Sequence, residues 1–215
     1  MDYLGRLLYA CRTRATSISP IVQQLDNMSA GDSTINWADS GELWPGRSGI
    51  QEIIPNLCIT NTFGARRLPL LLTHKITHIV LCGNELEAAH PAKFEYLKLK
   101  GFTDNTHTHL CDHISLALPW IQEALENGGR VLLHCATGSS RSGSIMLAYL
   151  IRYHGMSLQA ALLHARRLRP IIKPNPGFME QLLEFERLSA SASHEYDAKD
   201  LSINPATAMP QMIGP

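Results

Sequence analysis

The stretch HCATGSSRSG, His134 to Gly143, leaves few folds open to the chain around it. Ahead of it, GGRVLLHC runs from a Gly-Gly turn into a short apolar segment that reads as a buried strand. Behind it, Ile145, Met146, Ala148, Tyr149, Leu150 and Ile151 recur at helical spacing, and Gly155 is the stop signal. Cys135 therefore ends a strand, five residues make a tight loop, and Arg141 opens a helix. Backbone N–H groups of such a loop converge at the helix N-terminus and bind anions. A thiol held there is pushed toward thiolate, and a guanidinium six residues on holds oxygens through two parallel hydrogen bonds. Ala136, Thr137, Gly138, Ser139, Ser140 and Arg141 thus form a candidate oxyanion cradle with a nucleophile, Cys135, at its floor.

Strands and helices alternate around this unit. GIQEIIPNLCIT reads as two short strands turned by Pro55-Asn56, and the next stretch as a helix broken or bent at Pro69. THIVLC, Thr77 to Cys82, is a β-branched buried strand, and FEYLKLK alternates like a half-exposed one. Gly101 to His113 reads as a long polar loop, and ISLALPWIQEALENGG as a helix interrupted or started at Pro119. Ser157 caps a further helix that Pro170 stops, and a last helix runs from about Pro176 to Leu188. The pattern predicts an α/β fold, one domain whose mostly parallel central sheet of about five strands is flanked by helices. Residues 1–35 read as a flexible lead-in, 36–188 as the domain and 189–215 as a disordered tail.

A chain of 215 residues with 19 basic and 19 acidic side chains has no net charge, so nothing suggests a nucleic-acid or anionic-membrane surface. Cysteines at 11, 58, 82, 111 and 135 make neither a disulfide framework nor a CxxC pair. His107, His109, Cys111 and His113 fit no standard zinc spacing, and no metal site is expected. With no secretory signal and no apolar run of membrane-spanning length, the chain reads as cytoplasmic, nuclear or both. No feature of the sequence sets an oligomeric state.

HC, five residues and RS resemble the signature loop of the cysteine-dependent protein phosphatases, above all the dual-specificity group. The resemblance extends through THKITHIV, YLKL, GGRVLLHC and KPNPGF. It implies a metal-free, cofactor-free cycle in which Cys135 takes the phosphoryl group and water then hydrolyses the cysteinyl-phosphate. By its own reach either Ser140 or Ser142 is able to donate a hydroxyl to the sulfur; the family's position for that role is Ser142. The resemblance also implies that His134 fixes the loop and tunes the cysteine. Asn175 matches a bracing position, while its place before Pro176 also suits a helix cap. The family's general acid lies in the loop after the YLKL strand, which points to Asp104; Asp112, nearer the next helix and suited to be its N-cap, is the rival.

Cys82 closes the strand beside the one ending at Cys135, and lipid-phosphatase relatives place a resolving cysteine at a similar strand end. Cys82 is thus a candidate redox partner. The ATGSS segment holds no Lys or Arg, which argues against a phosphoinositide and for phosphotyrosine and phosphoserine or phosphothreonine in protein substrates. IPNL, KITHIV and PN-x-GF are also similar to the serine/threonine/tyrosine-interacting branch of pseudophosphatases. The alternative function is therefore a phosphoprotein-binding module with weak or no activity, although that branch lacks the cysteine present here.

Overall fold

Pro55-Asn56 reverses the chain between two apolar runs, with Asn56 in the left-handed region at φ 65°. Asn enters that region more readily than most side chains. The runs pair antiparallel as β1 (Gln51–Ile54) and β2 (Leu57–Asn61). The computed structural model describes residues 20, 23–25 and 48–200, with side chains to residue 190. After the hairpin come α1 (Thr62–Ala65), α2 (Leu68–Thr73), β3 (His78–Leu81), β4 (Glu95–Lys98) and α3 (Leu110–Glu126). The chain then forms β5 (Val131–Cys135), α4 (Arg141–His154), α5 (Leu158–Leu168) and α6 (Pro176–Asp200).

The strands lie in the order β1-β2-β5-β3-β4, and every pair except β1 with β2 is parallel. This is the α/β architecture that the alternation implies. β5 is central and buried throughout. Its side chains alternate between two cores: Leu132 joins Leu71, Ile76 and Ile79 beneath α1 and α2, whereas Val131, Leu133 and Cys135 join the larger core. α4 is buried along Arg141–Ile151 because it packs between the sheet and α3, α5 and α6. The carboxyl end of β5 feeds the loop into α4, which is where open parallel sheets present their ligand crevice.

Three elements depart from the sequence reading. The helix expected to break or bend at Pro69 breaks earlier, between Ala65 and Leu68, and Pro69 lies in the first turn of α2, where its missing N–H does no harm. The polar loop ends at His109, and α3 takes in Leu110, Cys111, Asp112 and His113. Leu110, Cys111 and His113 extend the buried stripe of Ile114, Ala117, Leu118 and Ile121, and Gln181 of α6 accepts the Leu110 N–H at 2.7 Å. Pro119 is inside this helix on its exposed side, where a carbonyl without its donor meets water. Finally, α6 continues past Leu188 to Asp200, through good helix formers such as Ala190, Ala192, Glu195 and Ala198. The expected flexible lead-in and the end of the tail lie largely outside the described residues, but Leu25 is buried in the larger core.

Candidate active site

Cys135 ends β5 with 1% of its surface exposed, and its Sγ accepts the Gly138 N–H and the Ser142 hydroxyl, each at 3.2 Å. The loop that follows is tied down carbonyl by carbonyl, from outside as far as Ser139 and by the first bond of α4 at Ser140. Thr62 Oγ1 donates to the Cys135 carbonyl at 3.1 Å and Thr62 N to that of Ala136 at 3.3 Å. Arg169 donates through Nη2 to Thr137 at 3.1 Å and through Nε to Gly138 at 2.8 Å. Lys173 N reaches the Ser139 carbonyl at 3.3 Å, and Ser144 N that of Ser140 at 2.8 Å. With the carbonyls turned outward, the peptide N–H groups are left to the inside, around the sulfur. Gly138 makes the bend at φ 69°, and a Cβ there would press into the Thr60 carbonyl and Arg169.

Two polar side chains around the loop are shaped by burial. Arg169 is fully buried; burial lowers its pKa to about 10, partly offset by the charge of Cys135, so it remains a cation at neutral pH. Burial holds the His134 imidazole down to about 4, against a small upward pull from the Cys135 backbone, and its Nδ1 has no partner among the described residues. An imidazole that binds a proton so weakly is a poor general base at neutral pH. Between pH 6.5 and about 4 an unfolded His134 takes up a proton that the folded one refuses. Stability should therefore fall as pH drops through that window, by up to about 1.4 kcal/mol per pH unit from this group. The loss of melting temperature from pH 7 to pH 5 should be smaller in His134→Gln than in wild type; an equal loss would clear His134 as the cause.

Asp104 is exposed, yet its Oδ1 accepts the Ser140 hydroxyl at 2.6 Å and the Asn175 amide at 2.9 Å. The long loop thus brings its carboxylate onto the rim of the cradle. Asn175 Nδ2 donates to Asp104, its backbone N–H to Ser140 Oγ at 3.1 Å, and its Oδ1 accepts the Phe178 N–H in the first turn of α6. Asp112 is not the N-cap of α3, which is His109; it lies in the first turn, where its charge suits the helix dipole. Of the histidine-rich group, Cys111 and His113 face the core while His107 and His109 are exposed, so the four do not converge.

Cys82 follows β3 opposite Cys135, its N–H bonded to the His134 carbonyl at 2.8 Å, and both sulfurs belong to the same core. Burial first, then the negative charge of Cys135, push the Cys82 thiol well up.

Arg169, Thr62 and Gln181 were not singled out by the sequence. Gln181 holds the long loop of residues 101–109 by its Thr108 carbonyl at 2.9 Å, and Gly177 lets the Thr106 backbone approach α6. The one sequence signal for Arg169 is a charged residue directly before Pro170, which the chain forces out of the helix.

The profile of the dual specificity phosphatase catalytic domain matches residues 60–188. The chain belongs to this family. Protein phosphatase Slingshot homolog 3 of Rattus norvegicus is 32% identical over 155 residues, 71% of this chain and 24% of that protein. Dual specificity protein phosphatase 1 of Arabidopsis thaliana is 40% identical over 118 residues, 55% of this chain and 59% of that protein. The chain therefore spans less than two thirds of either relative. The crystal structure of human tyrosine phosphatase-like serine/threonine/tyrosine-interacting protein aligns with a TM-score of 0.59 at 30% identity, over 73% of this chain and 100% of that one. The dual-specificity phosphatase match begins at Thr60 and so contains the Cys135 loop, Asp104 and Arg169.

Proposed function

We propose that this chain hydrolyses phosphotyrosine and phosphoserine or phosphothreonine in proteins through a cysteinyl-phosphate intermediate. The supporting observation is the loop whose carbonyls from Cys135 to Ser139 all accept hydrogen bonds from outside, leaving N–H groups for three phosphoryl oxygens. The Cys135 thiolate attacks phosphorus in line with the departing oxygen. The Arg141 Nε, buried and without a partner among the described residues, is a donor for a phosphoryl oxygen. Both hydrogen bonds to Asp104 land on Oδ1, so Oδ2 carries the proton to the leaving oxygen. Water then attacks phosphorus, Asp104 takes its proton, and the sulfur leaves with the Ser142 hydroxyl stabilising its charge. Ala136 and Thr137 are exposed at the mouth, and no cation is among the five loop residues, which favours a protein phosphate over a phosphoinositide.

The test is the dependence on leaving group. Wild type should turn over aryl phosphates and phosphoserine peptides. Asp104→Ala should lose about 100-fold or more in kcat on phosphoserine peptides, and much less on an aryl phosphate with an acidic phenol. Equal losses on both would remove Asp104 as the acid. The second reading, a phosphoprotein-binding module, rests on the likeness to the whole of the serine/threonine/tyrosine-interacting chain. An inert wild type that binds phosphopeptides would establish it.

We also infer that peroxide converts Cys135 to a sulfenic acid that the Cys82 thiol resolves, forming the disulfide and releasing water. In-register strands hold such residues about 5 Å apart at Cα, within disulfide reach. Peptide mapping after peroxide should find Cys82 joined to Cys135 with activity restored by dithiol; recovery of Cys82 as free thiol would end the idea. Four free buried cysteines among the described residues fit a reducing compartment, the cytoplasm or nucleus. No helix among the described residues is long and apolar enough to cross a membrane.

A further inference from the structure

Arg141 meets the cradle with one side of its guanidinium already engaged. Its side chain is 7% exposed, and Nη1 donates to Glu85 Oε1 at 2.6 Å and to the Phe102 carbonyl at 3.4 Å. These acceptors come from separate segments, the connection after β3 and the start of the acid loop. The Glu85 side chain is 54% exposed, whereas Phe102 is firmly held. Phe102 is fully buried, stacked on His113 at 4.2 Å and packed against Phe178 at 5.6 Å. Gly83 leaves the space in which the ion pair sits, because a Cβ there would press into Arg141 Nη1 and the Glu85 carboxylate.

A guanidinium is planar, so fixing Nη1 against two acceptors fixes the direction of every other N–H. The Nη1 hydrogens are used by the protein, whereas Nε is buried and has no partner among the described residues. Nε and Nη2 form the edge opposite the engaged side, the fork that grips two oxygens in parallel. Burial raises the pKa of Glu85, but hydrogen bonds from its own backbone N–H and from Arg141 outweigh it and leave it lowered. Glu85 is therefore an acceptor and not a second acid beside Asp104.

We propose that Glu85 is the positioning residue of the site, turning Arg141 so that its Nε–Nη2 edge faces the phosphoryl oxygens. The proposal rests on the reading of Arg141 as the oxyanion-binding side chain. What matters in it is reach rather than charge, since a carboxylate near a phosphate dianion has no electrostatic benefit of its own. A neutral acceptor of the same length keeps the guanidinium pointed the same way through a weaker bond, and a carboxylate one methylene shorter does not reach it.

Four variants of the full chain test this: Glu85→Gln, Glu85→Asp, Glu85→Ala and Arg141→Lys. The readouts are kcat/KM on an aryl phosphate, tungstate affinity by calorimetry and melting temperature. Glu85→Gln should stay within about threefold of wild type, while Glu85→Asp and Glu85→Ala lose about 10- to 50-fold in both kcat/KM and tungstate affinity. Wild-type values in Glu85→Asp and Glu85→Ala would overturn the proposal, as would a loss in Glu85→Gln that Glu85→Asp does not share. Calorimetry reads the same ordering should turnover be absent. Unchanged tungstate affinity in Arg141→Lys would instead sink the underlying reading of Arg141, whatever the Glu85 variants do.

Discussion

Cys135→Ser is expected to abolish turnover, lowering kcat by about 10,000-fold or more, while leaving the protein folded and able to bind tungstate. The hydroxyl is a poor nucleophile near neutral pH, and burial makes the neighbouring His134 imidazole, held down to about 4, too weak a base to activate it. The cradle itself should survive. Its shape comes from Thr62, Arg169, Lys173 and Ser144 gripping carbonyls, and none of these contacts uses the sulfur. The change is also nearly isosteric, so melting temperature should move by only a few degrees. Turnover of an aryl phosphate, tungstate calorimetry and a thermal melt together give the result. Retention of more than about 1% of wild-type kcat would show that Cys135 is not the nucleophile. Loss of tungstate binding along with turnover would show that the sulfur builds the loop rather than merely occupying it.

The parts of this fold that a reader of the sequence sees are those set by neighbours in the chain. The strand, loop and helix around Cys135 follow from a run of apolar residues, a glycine at φ 69° and a helix that Gly155 ends at φ 61°. The hairpin at Asn56 and the Ser157 cap, which accepts the Ala160 N–H at 3.1 Å, are equally local. What escapes is set by distant partners. α3 starts at Leu110 because Gln181, 71 residues away, accepts its N–H. Asp104 stays at the cradle because Ser140 and Asn175 hold it, and no periodicity in residues 101–113 encodes that. Glu85 and Arg169 each meet the loop from the other side of a connection, through contacts that only the closed sheet creates.

Arg169→Met should be the most damaging single change away from the reacting atoms. The buried guanidinium donates to the Thr137 and Gly138 carbonyls and to Gln51 Oε1, so a thioether in its place takes the donor from three acceptors, of which the Gly138 carbonyl is buried and the other two are part-buried. At about 1–3 kcal/mol for the buried acceptor and less for each of the others, a loss of about 2–4 kcal/mol follows. For a domain of this size that lowers the melting temperature by about 10 °C. Function should suffer beyond stability, because freed carbonyls at Thr137 and Gly138 turn inward and set negative dipoles where N–H groups belong. At a temperature where the variant remains folded, kcat/KM should fall by at least about 10-fold and tungstate affinity with it. Arg169→Lys separates charge from geometry: it keeps a cation below the loop but one nitrogen cannot serve two carbonyls and Gln51 together. It should recover less than half of the lost stability. A lysine variant that matches wild type in melting and in kcat/KM would mean that the loop needs only the charge, and an Arg169→Met variant unchanged in both would mean that it needs neither.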